Sequence, residues 1–198
     1  MPQKRQLHDR FFRQAKSEGY VARSAYKLIE IDDKFKLLGK ARKVLDLGCA
    51  PGSWLQVLAE RCGPKAEILG IDLKAIEASV PTHVRTLIGD VTKIDAVTLP
   101  IAPPFDVIIS DMAPNTTGAG DDLRSAALCR EVLRLCPALM RTGGSLVMKI
   151  LEGAETAEVL REARGMFEQA RMFKPQASRD VSRETFLIAQ RFRAQDQA

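Results

Sequence analysis

The spacing of hydrophobic and polar positions changes once along this chain, close to residue 43. Before that point the apolar residues follow a helical spacing, which predicts an amphipathic helix over residues 21–38 that ends near Gly39. After it, short apolar runs alternate with longer amphipathic stretches. The short runs predict six strands, over residues 44–47, 68–73, 84–88, 105–110, 145–151 and 184–190.

The stretches between these strands predict helices over residues 53–62, 123–140 and 157–167, and Gly143 and Gly144 mark the expected end of the second. Strands that alternate with helices form a parallel sheet that is covered on both faces. We therefore predict an α/β fold of the Rossmann-like, doubly wound kind. The 198 residues fit a single domain, with a basic helical extension over 1–40 and a core over 41–198.

Composition excludes several classes of protein. No apolar run approaches the roughly 20 residues of a membrane helix, and the N-terminal sequence MPQKRQLHDRFF lacks the apolar stretch of a secretory signal. The four cysteines show no zinc-ligand spacing. We therefore expect reduced thiols, no metal site, no membrane contact and a cytoplasmic protein.

The net charge of +5 is concentrated at the two ends of the chain. Residues 1–43 carry 12 Lys and Arg against 5 Asp and Glu, residues 44–170 carry 12 against 17, and residues 171–198 carry 6 against 3. Clustered Lys and Arg are typical of proteins that bind a phosphate backbone, although a solvated basic surface has the same composition. Charge alone therefore leaves both interpretations open.

A glycine-containing turn, Asp46-Leu47-Gly48-Cys49-Ala50-Pro51-Gly52-Ser53-Trp54, joins the first predicted strand to the helix after it. In a doubly wound sheet, ligands bind beyond the strand ends at such a crossover. Gly48 and Gly52 would let the backbone approach a ligand closely, and Pro51 would stiffen the bend. The turn is therefore a candidate cofactor site.

Three acidic residues lie at or near the ends of successive predicted strands: Asp46, Asp72 and Asp90. Asp72 could accept hydrogen bonds from the hydroxyls of a ribose, and Asp90 could accept one from the amino group of an adenine. A single such Asp is more often a helix cap or a turn residue. Three in succession favour an adenosine-containing cofactor.

Two adenosine cofactors compete for this site. The dinucleotide pattern GxGxxG is broken here by Ala50 and Pro51, and no GxxxxGK[ST] phosphate loop is present. S-adenosylmethionine carries no phosphate, so a site rich in acids suits it better than NAD. An NAD-dependent oxidoreductase remains the less favoured alternative.

A second group of polar residues follows the later strands. Asp111 comes directly after residues 105–110, and Lys149 follows Leu-Val-Met inside an apolar run. Burying an ammonium is costly, which favours a functional role for Lys149, although a lysine at a strand end can also extend its amine to water. Lys27 and Glu184 are charged residues within a helical and a strand-like stretch, and each alone is unremarkable.

These motifs together resemble a known family. The turn at 46–54, Ser110-Asp111-Met112-Ala113-Pro114-Asn115, Val147-Met148-Lys149 and Ser182-Arg183-Glu184 are similar to the FtsJ/RrmJ-type ribosomal RNA 2′-O-methyltransferases. The resemblance runs from about Arg23 to the last strand. It departs from the family pattern at Cys49 and Ser53, which replace residues that are usually Ala and Gly but are still small.

The resemblance implies a seven-stranded, mostly parallel sheet and a catalytic tetrad of Lys27, Asp111, Lys149 and Glu184. In that tetrad Lys149 would accept the proton of a ribose 2′-hydroxyl, or would stay charged and stabilise the developing alkoxide. The resemblance also implies that S-adenosylmethionine contacts Gly52, Trp54, Asp72, Asp90 and Asp111. We add Asp46, Gly48 and Pro51 to this set from the turn itself.

The implied substrate is a uridine ribose in ribosomal RNA, within the large ribosomal subunit, and the implied state is a monomer. Basic residues near the core would contact the RNA: Lys4, Arg5, Arg10, Arg13, Lys16 and Arg23 before it, and Lys174, Arg179 and Arg183 near its end. Two alternatives stay open from the sequence. One is methylation of transfer RNA or another RNA, and the other is a catalytically inactive RNA-binding assembly factor.

Overall fold

The computed structural model describes residues 2–114, 118–178 and 182–193, and for residues 2–9 it describes the backbone alone. Five α-helices are formed in this part of the chain: α1 (Pro2–Glu18), α2 (Ala25–Phe35), α3 (Ser53–Cys62), α4 (Asp121–Leu139) and α5 (Thr156–Met166). Its seven strands are β1 (Lys43–Leu47), β2 (Glu67–Asp72), β3 (Val84–Ile88), β4 (Phe105–Ser110), β5 (Met140–Leu151), β6 (Phe167–Phe173) and β7 (Glu184–Phe192).

The strands form one sheet in the order β3-β2-β1-β4-β5-β7-β6. All pairings from β3 to β5 are parallel, and β7 runs antiparallel to both β5 and β6. The strand order reverses between β1 and β4, because the chain first builds outward through β2 and β3 and then returns to the other side of β1. The predicted doubly wound α/β fold is confirmed.

Hydrophobic residues cover both faces of the sheet. On one face, α2 and α3 supply residues such as Leu28 and Leu55 to a cluster that includes Val44 of β1 and Phe186 of β7. On the other face, α4 and α5 pack against alternate residues of the same strands, including Leu45. Alternation of side chains along each strand separates the two clusters. Since α2 belongs to a cluster of the sheet, part of the predicted extension lies within the core.

Three elements differ from the sequence-based prediction. Helix α2 ends at Phe35, because Lys36 adopts a left-handed conformation and the Asp32 carboxylate accepts the amides of Leu37 and Leu38. Strand β5 begins at Met140, so the glycines expected to end a helix lie within a strand. Strand β6 follows α5 directly, where no strand was predicted.

The glycines of β5 mark an irregularity in its pairing with β4. Phe105 is opposite Met140 while Val107 is opposite Ser145, so the β5 backbone must take up extra residues between these pairs. Gly143 does so with a φ of +79°, and a Cβ on Gly144 would lie 2.8 Å from the carbonyl oxygen of Arg141. Only glycine fits these two positions without strain.

Candidate active site

A pocket of about 270 Å³ opens at the carboxyl ends of β1, β2 and β4. This is the point at which the strand order reverses, where doubly wound sheets bind their ligands. Four residues predicted for the site lie on its walls: Gly48, Asp72, Asp90 and Asp111. The other described lining residues include Met112 from the loop after β4 and Glu131 from α4. The walls therefore carry four carboxylates.

The glycine turn is fixed to the neighbouring strand by its own amides. Gly48 donates to the carbonyl oxygen of Ile71 at 2.8 Å, and Ala50 donates to Oδ2 of Asp72 at 2.9 Å. Gly48 has a φ of +81°, and a Cβ there would lie 2.5 Å from Cγ of Met112. The amides of Gly48 and Ala50 are thus already occupied, and the Asp72 carboxylate lies beside them.

Pro51 and Gly52 hold a second segment against this turn. The carbonyl oxygen of Pro51 accepts hydrogen bonds from the amides of Glu77 and Ala78, at 2.9 and 3.0 Å. Gly52 has a φ of +110°, and a Cβ there would lie 2.6 Å from Cβ of Ala78. Neither residue is among the described residues that line the pocket, and both hold the turn against residues 77–78.

Asp46 is fully buried within β1, and its two carboxylate oxygens have no hydrogen-bond partner among the described residues. Burial raises the pKa of this carboxyl well above its ordinary range, and the nearby charges of Asp111 and Asp72 raise it further. A bound cation would relieve this unfavourable environment. A sulfonium and an ammonium group, as in S-adenosylmethionine, fit such a cluster of acids better than a diphosphate does.

Asp72 and Asp90 each have a structural task besides lining the pocket. Asp72 Oδ1 accepts the amide of Lys74 at 2.9 Å. Asp90 Oδ1 caps a short 3₁₀ turn by accepting the Thr92 hydroxyl at 2.8 Å and the Thr92 amide at 3.0 Å. These hydrogen bonds, with the nearby Lys93, lower the pKa of Asp90. Each carboxylate keeps acceptor capacity on the pocket side.

Trp54 is not among the described residues that line the pocket. Its indole Nε1 donates to the carbonyl oxygen of Ser24 at 2.9 Å, and its ring packs against Phe186 with centroids 5.8 Å apart. The hydroxyls of Ser24 and Ser53 are 2.8 Å apart in the same region. In the described part of the chain, Trp54 therefore joins α3 to α2 and β7.

The four residues of the implied tetrad form two ion pairs. Lys149 lies near the end of β5 with its side chain only 10% exposed, and its Nζ donates to Oδ1 of Asp111 at 2.8 Å and to the Asp111 carbonyl oxygen. Lys27 of α2, whose side chain is 9% exposed, pairs with Glu184 of β7. Both lysines are thus held at low exposure by carboxylates.

The strand register brings the two pairs to one face of the sheet. Lys149 is opposite Phe186 and Leu151 is opposite Glu184, so Lys149 and Glu184 are diagonal neighbours across the β5–β7 ladder. Lys27 Nζ also lies 6.0 Å from the centroid of the Phe186 ring. The fold therefore gathers residues that are up to 157 positions apart in the chain.

Arg183 makes contacts that the sequence analysis did not predict. Its Nε donates to the carbonyl oxygen of Glu152 at 2.8 Å, and its Nη2 lies 3.4 Å from Oδ2 of Asp122 at the start of α4. Lys174, also expected to face RNA, donates to the carbonyl oxygen of Ser182 at 2.8 Å. Arg179, Asn115 and the side chains of Lys4 and Arg5 lie outside the described residues.

The described residues contain neither a cluster of metal ligands nor a membrane-spanning helix. Within residues 2–114, 118–178 and 182–193, no group of three or more His, Cys, Asp or Glu side chains is arranged to hold a metal ion. Over the same residues no helix has the length and apolar character needed to cross a membrane. All four cysteines are free thiols.

Comparison with known proteins places this geometry in a family. A family model described as FtsJ-like methyltransferase matches residues 20–192. A protein of Syntrophobacter fumaroxidans named ribosomal RNA large subunit methyltransferase E is 43% identical over 191 residues, covering 94% of this chain and 97% of its own length. A protein of the same name from Nitratidesulfovibrio vulgaris is 44% identical over 194 residues, covering 96% of each chain.

A solved structure gives the same result. The crystal structure of a Plasmodium falciparum protein assigned as a ribosomal RNA methyltransferase superposes with a TM-score of 0.76 at 31% identity, covering 87% of this chain and 98% of that one. The resemblance noted in the motifs is confirmed by these matches, which extend well beyond the motifs themselves. The chain belongs to the FtsJ-like methyltransferase family.

Proposed function

We propose that this methyltransferase transfers a methyl group from S-adenosylmethionine to the 2′-hydroxyl of a ribose in ribosomal RNA. The observation that carries the proposal is the Lys149 amine, which is held at low exposure by Asp111, a residue of the pocket wall. A nearly buried amine beside a cofactor pocket is suited to act on a proton of a bound substrate.

The acidic walls support the choice of methyl donor. Asp72 and Asp90 would hold the ribose and the adenine, and the charges of Asp72 and Asp111 would balance the positive groups of the methyl donor. S-adenosylmethionine supplies a methyl group attached to a positively charged sulfur and leaves as a neutral thioether. NAD is disfavoured, because the amides of Gly48 and Ala50 are already bonded and its diphosphate would face carboxylates.

The contacts within the tetrad support a different role for each ion pair. Lys149 Nζ would take the proton of the ribose hydroxyl, or remain protonated and stabilise the developing negative charge. Asp111 orients this amine through two acceptors, its side chain and its carbonyl oxygen. Glu184 balances the charge of Lys27 beside Phe186. This ion pair would hold the Lys27 ammonium, a second cation, at a fixed place near the ribose 2′-hydroxyl.

The substrate is proposed from the relatives and from charge. The two relatives described above carry the name ribosomal RNA large subunit methyltransferase E. The basic ends of this chain suit a polyanion, and the 2′-hydroxyl that this chemistry needs is present in RNA and absent from DNA. We place the target at a uridine within the large ribosomal subunit, and take the enzyme to be a cytoplasmic monomer.

The direct test is to incubate the protein with tritiated S-adenosylmethionine and separated large subunits, small subunits, total ribosomal RNA and transfer RNA. The expected result is label in large-subunit RNA, recovered after alkaline hydrolysis as an alkali-stable dinucleotide, because a 2′-O-methyl group blocks cleavage at that position. Label in transfer RNA alone would contradict the substrate. Label on a base would contradict the reaction, and no transfer to any RNA would favour an inactive assembly factor.

A further inference from the structure

Helix α1 is attached to the core through one face. The Phe11 ring packs against Tyr26 with centroids 5.4 Å apart, and Ala15 is buried in the same cluster. The Tyr26 hydroxyl donates to Oε2 of Glu18 at 2.8 Å, and the Tyr20 amide donates to the carbonyl oxygen of Ala15 at 2.9 Å. These contacts fix the orientation of the helix, so its opposite face is presented in a defined direction.

The opposite face combines cations with an exposed aromatic ring. Phe12 is 66% exposed, and Lys16, one helical turn further on, is exposed beside it. Arg10 and Arg13 line an open groove next to this stripe, together with Gln14 and Ser17. We call Arg10, Phe12, Arg13 and Lys16 the α1 outer face.

An exposed phenylalanine beside one lysine, with two arginines further around the same helix, matches one kind of ligand well. Proteins bind single-stranded nucleic acid by stacking bases on aromatic rings while Lys and Arg contact the phosphates. We propose that the α1 outer face binds a single-stranded segment of the substrate RNA, with a base stacked on Phe12 and phosphates on Arg10, Arg13 and Lys16. This inference rests on the proposed function for its ligand.

The charge distribution explains why such a surface is needed. The pocket walls carry Asp72, Asp90, Asp111 and Glu131, and residues 44–170 as a whole have more acids than bases. An RNA backbone gains no attraction from that region. Affinity for the polyanion is therefore expected mainly from the two basic ends of the chain, and α1 presents cations on a helix that is held in place.

The test compares Phe12→Ala and Phe12→Trp in equilibrium binding to a single-stranded oligoribonucleotide and to large-subunit RNA. Alanine has no ring on which a base can stack, so we expect Phe12→Ala to weaken RNA binding by about 5- to 150-fold, the range for one stacked base. The salt dependence of binding should not change, because no cation is removed. Phe12→Trp should bind at least as well as wild type. Lys16→Gln should instead reduce the salt dependence, by about 0.7 in the logarithmic slope for one phosphate contact.

Val97→Ala is the matched control, because Val97 is 90% exposed and lies outside α1. Wild-type affinity in Phe12→Ala, or equal losses in Phe12→Ala and Val97→Ala, would overturn the proposal. A change in sedimentation with unchanged RNA affinity would assign Phe12 to a contact between two copies and would also overturn it. Because binding is measured without turnover, failure of the proposed methyl transfer would leave a different signature: intact, Phe12-dependent binding and no transfer.

Discussion

Asp46 shows how one residue can couple the stability of the fold to its ligand. Its carboxylate is fully buried and lacks a hydrogen-bond partner among the described residues. A buried, unpaired charge is unfavourable in the free protein and becomes favourable once a cation lies nearby. The residue is thus better explained by what the pocket binds than by the stability of the fold.

The pKa of Asp46 gives a prediction for stability against pH. Because the folded-state pKa is raised above the ordinary value of 3.8, its contribution is fully present below pH 3.8 and is lost as the pH rises toward the folded pKa. Each unit of difference corresponds to about 1.4 kcal/mol. Asp46→Asn should therefore flatten the fall in unfolding free energy as the pH rises above 3.8, and weaken cofactor binding.

Urea denaturation at several pH values, with calorimetric titration of S-adenosylmethionine, measures both effects. An unchanged pH dependence in Asp46→Asn would show that the carboxyl does not titrate in this range. Unchanged affinity would separate Asp46 from the cofactor.

Arg183 and Asp122 provide a second prediction at the residue scale. Their contact joins the start of α4 to the residue before Glu184, while Arg183 Nε binds the Glu152 carbonyl after β5. If the pair positions the tetrad, Arg183→Gln should lower kcat on the order of 10- to 100-fold, as small displacements of reacting groups do. Asp122→Asn should have a similar effect, and the double variant should be no worse than the more damaged single variant.

Arg183 could act either by positioning the tetrad or by binding an RNA phosphate. A carboxylate is not expected to bind phosphate, so Asp122→Asn should lower activity only if the Arg183–Asp122 pair positions the tetrad. The contrary outcome is a raised KM for RNA and a smaller salt dependence in Arg183→Gln alone, with Asp122→Asn unaffected. Thermal denaturation of each variant checks that the fold is retained.

The positions of some site residues could be predicted from the sequence, but their long-range contacts could not. Asp72 and Asp111 could be placed at strand ends, because an apolar run followed by an acid marks such an end. The ion pair between Arg183 and Asp122 could not be predicted from local sequence, since 61 positions separate the two residues. Trp54 is close to the turn in sequence, yet the helical geometry of α3 directs it toward Ser24 and Phe186.

At the scale of elements, the glycine turn makes the sharpest prediction. Gly48→Ala would place a methyl group against Met112 and hold alanine at a positive φ. We expect a loss of about 1–3 kcal/mol in unfolding free energy and reduced cofactor affinity. Gly39→Ala is the matched control, since a Cβ there meets nothing within 4 Å. Circular dichroism melts and calorimetric titration compare the two, and equal stability of both variants would contradict the close packing.

Helices and strands whose hydrophobic residues recur at a regular helical or strand spacing could be predicted. Strand β6 and the first residues of β5 lack such a spacing and were not predicted. Residues 167–173 bury Phe167 and Ala170, a spacing of three that reads as a continuation of the preceding helix. Gly143 and Gly144 are typical of a helix end, but here they absorb a pairing irregularity between β4 and β5. Both errors arise because strand pairing across the sheet is a tertiary effect that local sequence does not encode.

Acidic and basic residues are concentrated in different parts of the chain. The acidic centre carries the pocket, while the N-terminal 43 residues carry 12 Lys and Arg. The sequence alone could establish this arrangement, because it needs only counting. The fold adds that α1 and α2 lie together, and that this basic segment contributes Lys27 to the tetrad.

Charge reversal at Arg10 and Arg13 tests the whole-molecule electrostatics. The double variant Arg10→Glu, Arg13→Glu should bind RNA more weakly and lower the logarithmic salt slope by about 1.4, if each residue contacts one phosphate of a single strand. Lys65→Glu, an exposed change in the core, is the control. Filter binding over a salt titration measures the slope, and a slope equal to that of wild type would exclude α1 from the RNA interface.

In the proposed reaction, the Lys149 amine either accepts the proton of the ribose 2′-hydroxyl that receives the methyl group or stabilises the negative charge that develops on its oxygen. The most direct measurement is single-turnover methyl transfer to large-subunit RNA by Lys149→Ala beside the exposed control Lys65→Ala, with both proteins saturated with S-adenosylmethionine. We expect the rate of methyl transfer to fall by about 10²–10⁴-fold or more in Lys149→Ala with cofactor affinity retained, and to be unchanged in Lys65→Ala. Transfer at the wild-type rate by Lys149→Ala would contradict it.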